Sequence, residues 1–439
     1  MSWGRRFRAK EYLRTSLWVI PVAFVAFAVV VGLVVPEIDR ASESSLSFPF
    51  GAGAAIAALS AIAGGMITFT GFVFSVLLVA IQFGSSQFTP RLLGALFRRN
   101  EVKVAIGSFV ATFTYALLVL ASTARGDDPD FVPTLSVTVA IAFLLLSVAM
   151  FLRLFQSVGH DLRAGSLLDD AGRIGIELIE ETYPREGVPD ETTVRAAPQT
   201  PDEDRSRHVD HRGRAHVLLA ADFEGIAAAA QRVGATVYFE AAVGDFVATG
   251  APLFRVVERG ARLDDDQLLS AVAFGAERTV QQDLPFVFRI LVDIASKALS
   301  PGVNDPTTAV QALDQIEDLL VLLAVRDLSV GEIRDADGHP RVRWPVPSWD
   351  GYLVLALTEI RQFGEGSAQI SRRMLALLDR LDEVVPEGRR AAVDRQRTLI
   401  EASVERAFAP AERAEALVPD HQGIGAGAVS AAPTPESRR

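Results

Sequence analysis

The sequence of 439 residues contains no cysteine and six histidines. The absence of cysteine excludes disulfides, thiolate nucleophiles, Cys-ligated zinc and iron–sulfur clusters. Basic residues are outnumbered, with 43 Lys and Arg against 54 Asp and Glu. The resulting net charge of -11 argues against nucleic acid as a partner. Apolar residues are in excess, because mean hydropathy is +0.26 and long apolar runs fill the first 155 positions.

Charge is missing from four runs in this region: 17–35, 51–83, 104–122 and 131–152. Each is long enough to cross about 30 Å of hydrocarbon. The arm at 1–16 and the segment between runs two and three are basic, whereas the other two connections are acidic. The positive-inside bias therefore predicts a multi-pass membrane protein with both termini in the cytoplasm. The runs contain no ionisable residue, which argues against ion-coupled transport but not against a passive channel.

The second run is unusually long, since 33 residues would form a helix of about 50 Å. Such a helix must tilt, project beyond the bilayer or break, and Gly64-Gly65 is the expected place for a break. Its small and polar residues recur at helical spacing and form one face: Ser60, Gly64, Thr68, Gly71, Ser75, Gln82 and Ser86. Either this face packs closely against other helices, or it lines a pore between subunits. In the second case Gln87 and Arg91 would ring the inner mouth.

The remainder of the chain predicts a connecting amphipathic helix at 156–183, a disordered linker at 184–212, an α+β domain at 213–410 and a disordered tail at 411–439. Within the domain we expect a strand at 215–219, a helix at 223–233 and a hairpin of 236–241 with 253–257. Gly244, Asp245 and Gly250 supply the turns of that hairpin. From 264 onward the pattern is helical, interrupted by a loop or short hairpin at 326–343.

Three histidines in the predicted linker raise the question of a metal site, because His208, His211 and His216 are close in sequence. No carboxylate or cysteine stands at a convincing spacing beside them, apart from Asp210. A solvated loop is the preferred interpretation. We therefore predict neither a metal nor a cofactor.

The stretch "SPGVNDP" predicts a corner between two helices. Its residues are Ser300, Pro301, Gly302, Asn304, Asp305 and Pro306, with Val303 at the centre. Pro301 and Gly302 would end the first helix, with the glycine in the left-handed conformation. Asp305 would cap the next helix, with Pro306 at its first position. A binding contact is a second interpretation. Catalysis is a third, with Asp305 acting beside Asp283 or Asp293, but no nucleophile or phosphate loop accompanies it.

Three stretches carry a family resemblance: "ITFTGFVFSVLLVAIQFGSSQFTPRLL" at 67–93, "ALSPGVNDPTTA" at 298–309 and "EIRQFGEGSAQISRRML" at 359–375. Over roughly residues 10–410 the chain resembles an uncharacterised bacterial family of predicted membrane proteins, the domain of unknown function 2254. The resemblance implies four N-terminal spans followed by one soluble domain. It implies no activity and no catalytic residues.

The sequence thus predicts an α-helical integral membrane protein with four transmembrane helices and a mainly α, α+β cytoplasmic domain at the C-terminus. Our first hypothesis is a homo-oligomeric channel lined by the second span. The alternative is a membrane-anchored scaffold or sensor, whose leucine-rich faces at 268–273 and 353–360 bind a protein or a small ligand. Besides such a ligand, the lipid bilayer is the expected partner. An enzyme acting on a lipid or envelope substrate ranks last.

Overall fold

The computed structural model describes residues 2–41, 51–87, 100–123, 134–161, 164–183, 206–258, 260–328 and 331–425. Contacts within the chain separate it into two compact units. One unit is Lys10–Ser166, and the other combines Met1–Ala9 with Leu167–Arg439.

Long helices make up the described part of the first unit. They are α1 (Trp3–Thr15), whose first turns belong to the second unit, α2 (Val19–Ala41), α3 (Ala52–Gln87), α4 (Asn100–Thr123) and α5 (Thr134–Asp161). Four stretches are long and apolar enough to cross a membrane: Val19–Ala41, Gly53–Ala80, Asn100–Thr123 and Thr134–Ser157. The four expected spans are therefore present with shifted boundaries, and we name Lys10–Ser166 the membrane unit.

Helix α4 forms the centre of the membrane unit, because α2, α3 and α5 all pack against it. Its Tyr115 side chain is fully buried. The hydroxyl oxygens of Thr112 and Ser147 lie 2.8 Å apart and join α4 to α5. Both hydroxyls are buried, so this hydrogen bond satisfies polar groups that would otherwise be costly in an apolar interior.

Helix α3 is continuous over 36 residues, so of the three alternatives left open by its length, a break at Gly64-Gly65 does not occur. Glycine within a helix costs only about 1 kcal/mol relative to alanine. The helical hydrogen bonds continue through the pair, and Thr68 Oγ1 adds a bond to the carbonyl oxygen of Gly64 at 3.0 Å. At 1.5 Å per residue α3 is about 54 Å long, which exceeds the hydrocarbon thickness of a bilayer.

Helix α2 extends beyond the predicted end at residue 35 and carries Asp39 into the interior of the unit. The Asp39 side chain is buried although the sequence predicted it in an acidic connection. Its carboxylate accepts hydrogen bonds from the backbone N–H groups of Leu135 and Ser136, at 3.1 and 2.8 Å, and from Ser136 Oγ at 2.7 Å. Asp39 therefore caps the N-terminus of α5, where the helix dipole favours an anion. Lys103, in α4, is also buried.

The second unit contains two sheets. Their strands are β1 (Ser206–Asp210), β2 (His216–Ala221), β3 (Thr236–Phe239), β4 (Phe246–Val247), β5 (Pro252–Val257), β6 (Val272–Gly275), β7 (Glu332–Arg334) and β8 (Pro340–Arg343). The order is β1-β5-β3-β8-β7 in one sheet and β4-β2-β6 in the other. Strands β3 and β8 are parallel, and the remaining pairs are antiparallel. We name this unit the α+β unit.

Helices complete the α+β unit: α6 (Ala164–Thr182), α7 (Phe223–Val233), α8 (Asp265–Ser270), α9 (Leu284–Ala298), α10 (Pro306–Ala324), α11 (Trp349–Phe363), α12 (Ala368–Val384), α13 (Glu387–Ala407) and α14 (Pro410–Ala416). Helices α9 to α13 pack on one another, and α7 covers β3 and β8. Two glycines let α6 approach α10 closely. A Cβ atom at Gly175 would lie 2.7 Å from Leu319 Cδ2, and one at Gly172 would overlap Gln315.

Three sequence predictions in this unit need correction. Strand β1 lies inside the segment predicted as a disordered linker, because only Val209 of this edge strand is buried and backbone pairing with β5 holds the rest. Strand β6 occupies part of the segment predicted as helical. The beginning of the predicted tail is ordered: α14 is formed, and the carboxylate of Asp420 accepts hydrogen bonds from the N–H groups of Gln422, Gly423 and Gly425.

Candidate functional site

The polar face of α3 points away from the other described helices of the membrane unit. At 3.6 residues per turn its members lie within an arc of about 80°. We define it by the residues whose side-chain placement is described, all of them exposed: Ser60, Gly64, Thr68, Gly71, Ser75 and Gln82. The buried residues of α3 lie on the opposite side: Ala55, Leu59, Ile62, Ala63, Met66, Val73, Leu77 and Ala80. Contacts with the other described helices of the chain therefore use the side opposite the polar face.

The glycines of the polar face are not used for packing within the chain. A Cβ atom added at Gly64 or Gly71 would meet nothing within 4 Å. In contrast, a Cβ atom at Gly107 in α4 would lie 3.0 Å from Phe24. Glycines that allow close helix packing thus exist in the membrane unit, but those of the polar face do not have this role among the described residues. Among the described residues the pattern therefore does not serve packing within the chain, and packing between copies and a pore lining both stay predictions.

The hydroxyl groups of the polar face are bonded to their own helix. Thr68 Oγ1 donates to the carbonyl oxygen of Gly64, and Ser75 Oγ donates to that of Gly71, each at 3.0 Å. The single hydroxyl proton is used in each bond, whereas the oxygen keeps free acceptor capacity. At Thr68 and Ser75 the face therefore presents acceptor oxygens, Gln82 adds an amide that can both donate and accept, and none of these groups is ionisable.

Large apolar side chains flank the polar face on both sides. Phe72 and Val79 lie on one side and are 57% and 49% exposed. Ile67 and Phe74 lie on the other side and are 54% and 43% exposed. A polar strip between two apolar strips is the pattern expected when the flanks meet lipid or protein and the centre meets a different environment.

An apolar groove adjoins the flank that carries Phe72. It lies between α3 and α5, has a volume of about 360 Å³, and is lined mainly by aliphatic and aromatic carbon. Ala61 and Gly65 form its α3 side, and Leu144 and Val148 belong to its α5 side. A Cβ atom at Gly65 would meet nothing within 4 Å, so the groove has room for a further side chain.

The proposed inner mouth remains a sequence prediction. The backbone of Ser86 and Gln87 belongs to the last turn of α3, but the placement of their side chains and the whole of Arg91 lie outside the described residues.

The corner at "SPGVNDP" is confirmed as a structural turn. Asp305 caps α10, with its Oδ1 accepting from the N–H of Thr308 at 3.1 Å, and Pro306 is the first helical residue. The left-handed residue is Asn304, with φ of 49°, and not Gly302 as predicted. Asparagine tolerates this conformation better than other non-glycine residues. The prediction assigned the positive φ to Gly302, the glycine of the stretch, whereas the residue with positive φ lies two positions later.

The carboxylates considered for catalysis each have a partner of their own. Asp305 caps a helix, and Asp293 forms a salt bridge with Arg289. Asp283 caps α9 and is paired with Arg278 at 2.8 Å. Burial raises the pKa of Asp283, although the nearby guanidinium opposes that shift. These bonds account for the three side chains as structural groups.

The hairpin turns behave as predicted, and one of them has a further contact. Gly244 and Gly250 have φ of 96° and 79°, and Asp245 Oδ2 accepts from the N–H of Ala242 at 2.8 Å. A Cβ atom at Gly244 would lie 2.3 Å from a carboxylate oxygen of Asp283. The turn therefore needs glycine at position 244 for its positive φ and for the close approach of the Asp283–Arg278 ion pair. The sequence did not reveal this second requirement.

The histidines of the predicted linker do not assemble a metal site within the described part of the chain. His208 is exposed on β1, whereas His211 is buried, with Nε2 2.8 Å from the carbonyl oxygen of Arg214. A different group, Asp335, Asp337 and His339, has its ligand atoms close together. Asp335 Oδ1 there accepts from the N–H groups of Asp337 and His339, at 3.1 and 2.9 Å. These bonds close the β7–β8 turn.

The leucine-rich faces considered for partner binding lie in the interior of the α+β unit. Leu268 is 1% exposed, and Leu353 and Ile360 are 0% exposed. A scaffold function would need another surface. The sequence could not distinguish these faces from a binding surface, because the same apolar spacing serves both.

Comparison with known proteins identifies relatives along most of the chain. The profile of the family described as "Predicted membrane protein (DUF2254)" matches residues 14–380. Uncharacterized proteins of Mycobacterium bovis and Mycobacterium tuberculosis are each 31% identical over 417 residues, which cover 92% of this chain and 79% of the relative. No solved structure matches the chain significantly. None of these relatives has an enzymatic name.

Proposed function

The chain belongs to the DUF2254 family of predicted membrane proteins, and from this premise we propose that it forms an oligomeric, channel-like assembly whose path is lined by the polar face of α3. One observation carries the proposal. The polar face is exposed and lies opposite the contacts that α3 makes with its own chain. Several copies arranged around an axis would bring this face together.

The contrast between the face and its flanks supports a path over contact with lipid. Lipid-facing positions favour large apolar side chains, which the flanks provide with Phe72 and Phe74. The polar face instead presents glycine backbone and the acceptor oxygens of Thr68 and Ser75. Water satisfies such acceptors, whereas hydrocarbon does not. A water-filled path between copies is therefore the environment that suits the face best.

The two flanks also differ from each other, which supports a ring over a pairwise contact. Ile67 projects on one flank, and the groove between α3 and α5 opens on the other. Ile67 lies at the height of the groove along α3, since Ala61 and Phe69 bracket it in sequence. If Ile67 of one copy entered the groove of the next copy, the contact would be head-to-tail. Such contacts generate a ring when the rotation from one copy to the next closes on itself.

The chemistry of the face favours passive conduction. It carries no ionisable side chain, whereas coupled transporters use intramembrane ionisable groups. Hydroxyl oxygens and backbone carbonyls can line a conducting path for water or for a cation. We further propose that the protein lies in the bacterial plasma membrane with both termini on the cytoplasmic side, which the basic arm and the basic connection between spans two and three support.

The test has two stages. Native mass spectrometry of the detergent-solubilised full-length protein should give a ring of four or more subunits. Flux through reconstituted protein should then fall several-fold in Thr68→Val and Gln82→Leu, because these lose polar groups of the path. Thr70→Val is the matched control: Thr70 makes the same kind of bond, to the carbonyl oxygen of Met66 at 2.7 Å, but lies outside the polar face. A monomer or dimer, or equal flux in all variants, would reject the channel.

A membrane-anchored scaffold is the second candidate, and the corner before α10 favours it. Residues 301–304 are exposed, yet the loop is fixed by backbone bonds from Val303 and Asn304 to the carbonyl oxygen of Ser300, at 3.0 and 2.9 Å. A preorganised exposed loop suits recognition. A photo-crosslinking residue at Val303 should then capture a partner in cells, while the same residue at exposed Gln362 should not. Equal capture at both positions would remove this candidate.

A further inference from the structure

Helix α1 presents basic side chains that have no acidic partner within the described part of the chain. The arm at 1–16 contains Arg5, Arg6, Arg8, Lys10 and Arg14 against one acidic residue, a net charge of +4 in a chain whose total is -11. Four of these residues, Arg5, Arg6, Arg8 and Lys10, are exposed, and Arg8 Nε donates to the carbonyl oxygen of Gly4 in its own helix. Among the described residues no acidic side chain forms a salt bridge with Arg5, Arg6 or Lys10. The positive charge is therefore available to a partner.

The opposite side of α1 is fixed by a close backbone contact. A Cβ atom at Gly4 would lie 2.3 Å from the carbonyl oxygen of Val272 in β6. At 3.6 residues per turn, Arg5, Arg6 and Lys10 lie on the half of the helix away from Gly4. The contact thus sets the rotation of the first turns of α1, which belong to the same unit as β6, and Arg5 and Arg6 point away from it.

Apolar groups follow the basic ones along the helix axis. Tyr12 and Leu13 are 69% and 55% exposed, and Trp18 is 72% exposed immediately before the first span begins at Val19. Aromatic side chains of this kind concentrate at the level of the lipid headgroups. The order from basic to aromatic to apolar span is the order of layers from the aqueous headgroup surface to the hydrocarbon.

We propose that α1 binds anionic lipid headgroups through Arg5, Arg6 and Lys10, with Tyr12 and Trp18 at the interface below them. The charge is complementary, because juxtamembrane basic segments are attracted to anionic leaflets and each Lys or Arg adds to the attraction. The rest of the chain is acidic in total but includes the basic connection between spans two and three, so variants in α1 measure the share of the selectivity that resides in α1. The proposal is independent of whether α3 lines a path.

The experiment is a lipid titration of the full-length protein in neutral detergent, followed by native mass spectrometry. Phosphatidylglycerol is compared with phosphatidylcholine as the added lipid. For the wild type we expect phosphatidylglycerol to bind several-fold more tightly. In the triple variant R5Q/R6Q/K10Q we expect its apparent Kd to rise about tenfold, with phosphatidylcholine unchanged. Glutamine keeps helix propensity close to that of Arg and Lys, so α1 should remain formed.

A control variant separates the site from total charge. R173Q/R380Q/R390Q removes three positive charges from exposed side chains of the α+β unit and should keep the wild-type selectivity. Should the triple variant not fold, the single variants R5Q and R6Q provide the measurement, with a loss of about two- to threefold each. Unchanged selectivity in the α1 variants, or equal losses in the control, would overturn the proposal.

Discussion

Replacement of Asp39 by alanine should destabilise the membrane unit strongly, because this one carboxylate satisfies three buried donors. The N–H groups of Leu135 and Ser136 and the hydroxyl of Ser136 all donate to it. Loss of a helix cap costs about 0.5–2 kcal/mol. A buried donor left without a partner costs about 1–3 kcal/mol. These effects overlap, so we expect a decrease in the free energy of unfolding of about 3 kcal/mol in total.

Thermal unfolding of the detergent-solubilised protein measures this change. For a unit of this size about 1 kcal/mol corresponds to 2–4 °C in Tm, so Asp39→Ala should lower Tm by about 6–12 °C. Asp39→Asn retains one acceptor oxygen and should lose about half as much. Glu37→Ala is the matched control on the same helix. Glu37 is exposed and paired only with Arg40, and such surface pairs contribute about 0–1 kcal/mol.

The comparison of these variants has a clear refuting result. If Asp39→Ala lowers Tm no more than Glu37→Ala does, the carboxylate does not stabilise the start of α5 and the capping argument is wrong. If Asp39→Asn is as damaging as Asp39→Ala, the charge on the carboxylate matters more than its number of acceptor oxygens.

Three further predictions concern the α+β unit, each read out by unfolding of the full-length protein. Gly175→Leu should destabilise the unit by about 2 kcal/mol or more, because the new side chain overpacks against Leu319. Gly366→Leu is the control and should change stability little, because the space around Gly366 is open. Asn304→Val should cost about 1–2 kcal/mol, because a β-branched residue resists positive φ, and Asn304→Gly should be neutral; equal effects would contradict the left-handed assignment. Burial raises the folded-state pKa of Asp283 above its usual value, so the contribution of Asp283 to stability should decrease as pH rises from about 4 through that raised pKa. The stability of the wild type relative to Asp283→Asn should therefore fall over this range, and a difference that stays constant with pH would refute this cause.

Elements with strong local signals were predictable from the sequence. The helix Phe223–Val233 has the predicted boundaries, because Asp222 caps it and Gly234 ends it in the left-handed conformation. The β7–β8 hairpin lies in the segment 326–343, where a loop or short hairpin was predicted, and Gly338 in its turn has φ of 80°. The four spans followed from uninterrupted apolar length. In each case a few neighbouring residues determine the structure.

Elements that depend on distant partners were not predictable in the same way. Strand β1 has a polar sequence and exists because β5 pairs with it across about fifty residues. Asp39 caps a helix that begins 95 residues later. An edge strand and a long-range cap leave almost no periodic pattern in their own sequence, since their energy comes from backbone groups elsewhere. The acidic character of Asp39 therefore predicted a solvent-exposed side chain, whereas its hydrogen bonds to the start of α5 allow the side chain to be buried.

The polar face of α3 stands between these two cases. The sequence showed the helical spacing of its residues but not the environment that the face contacts. Helical periodicity reveals that a face exists and does not identify its neighbours. Among the described residues, the exposure of Thr68 and the open space at Gly64 and Gly71 leave no contact of this face within the chain. Lipid, a second copy and water are the environments left for it, and the flanks of α3 carry large apolar side chains such as Phe72 and Phe74. The polar face lacks such side chains over several turns, and this contrast is the reason for our proposal that copies share it around a path.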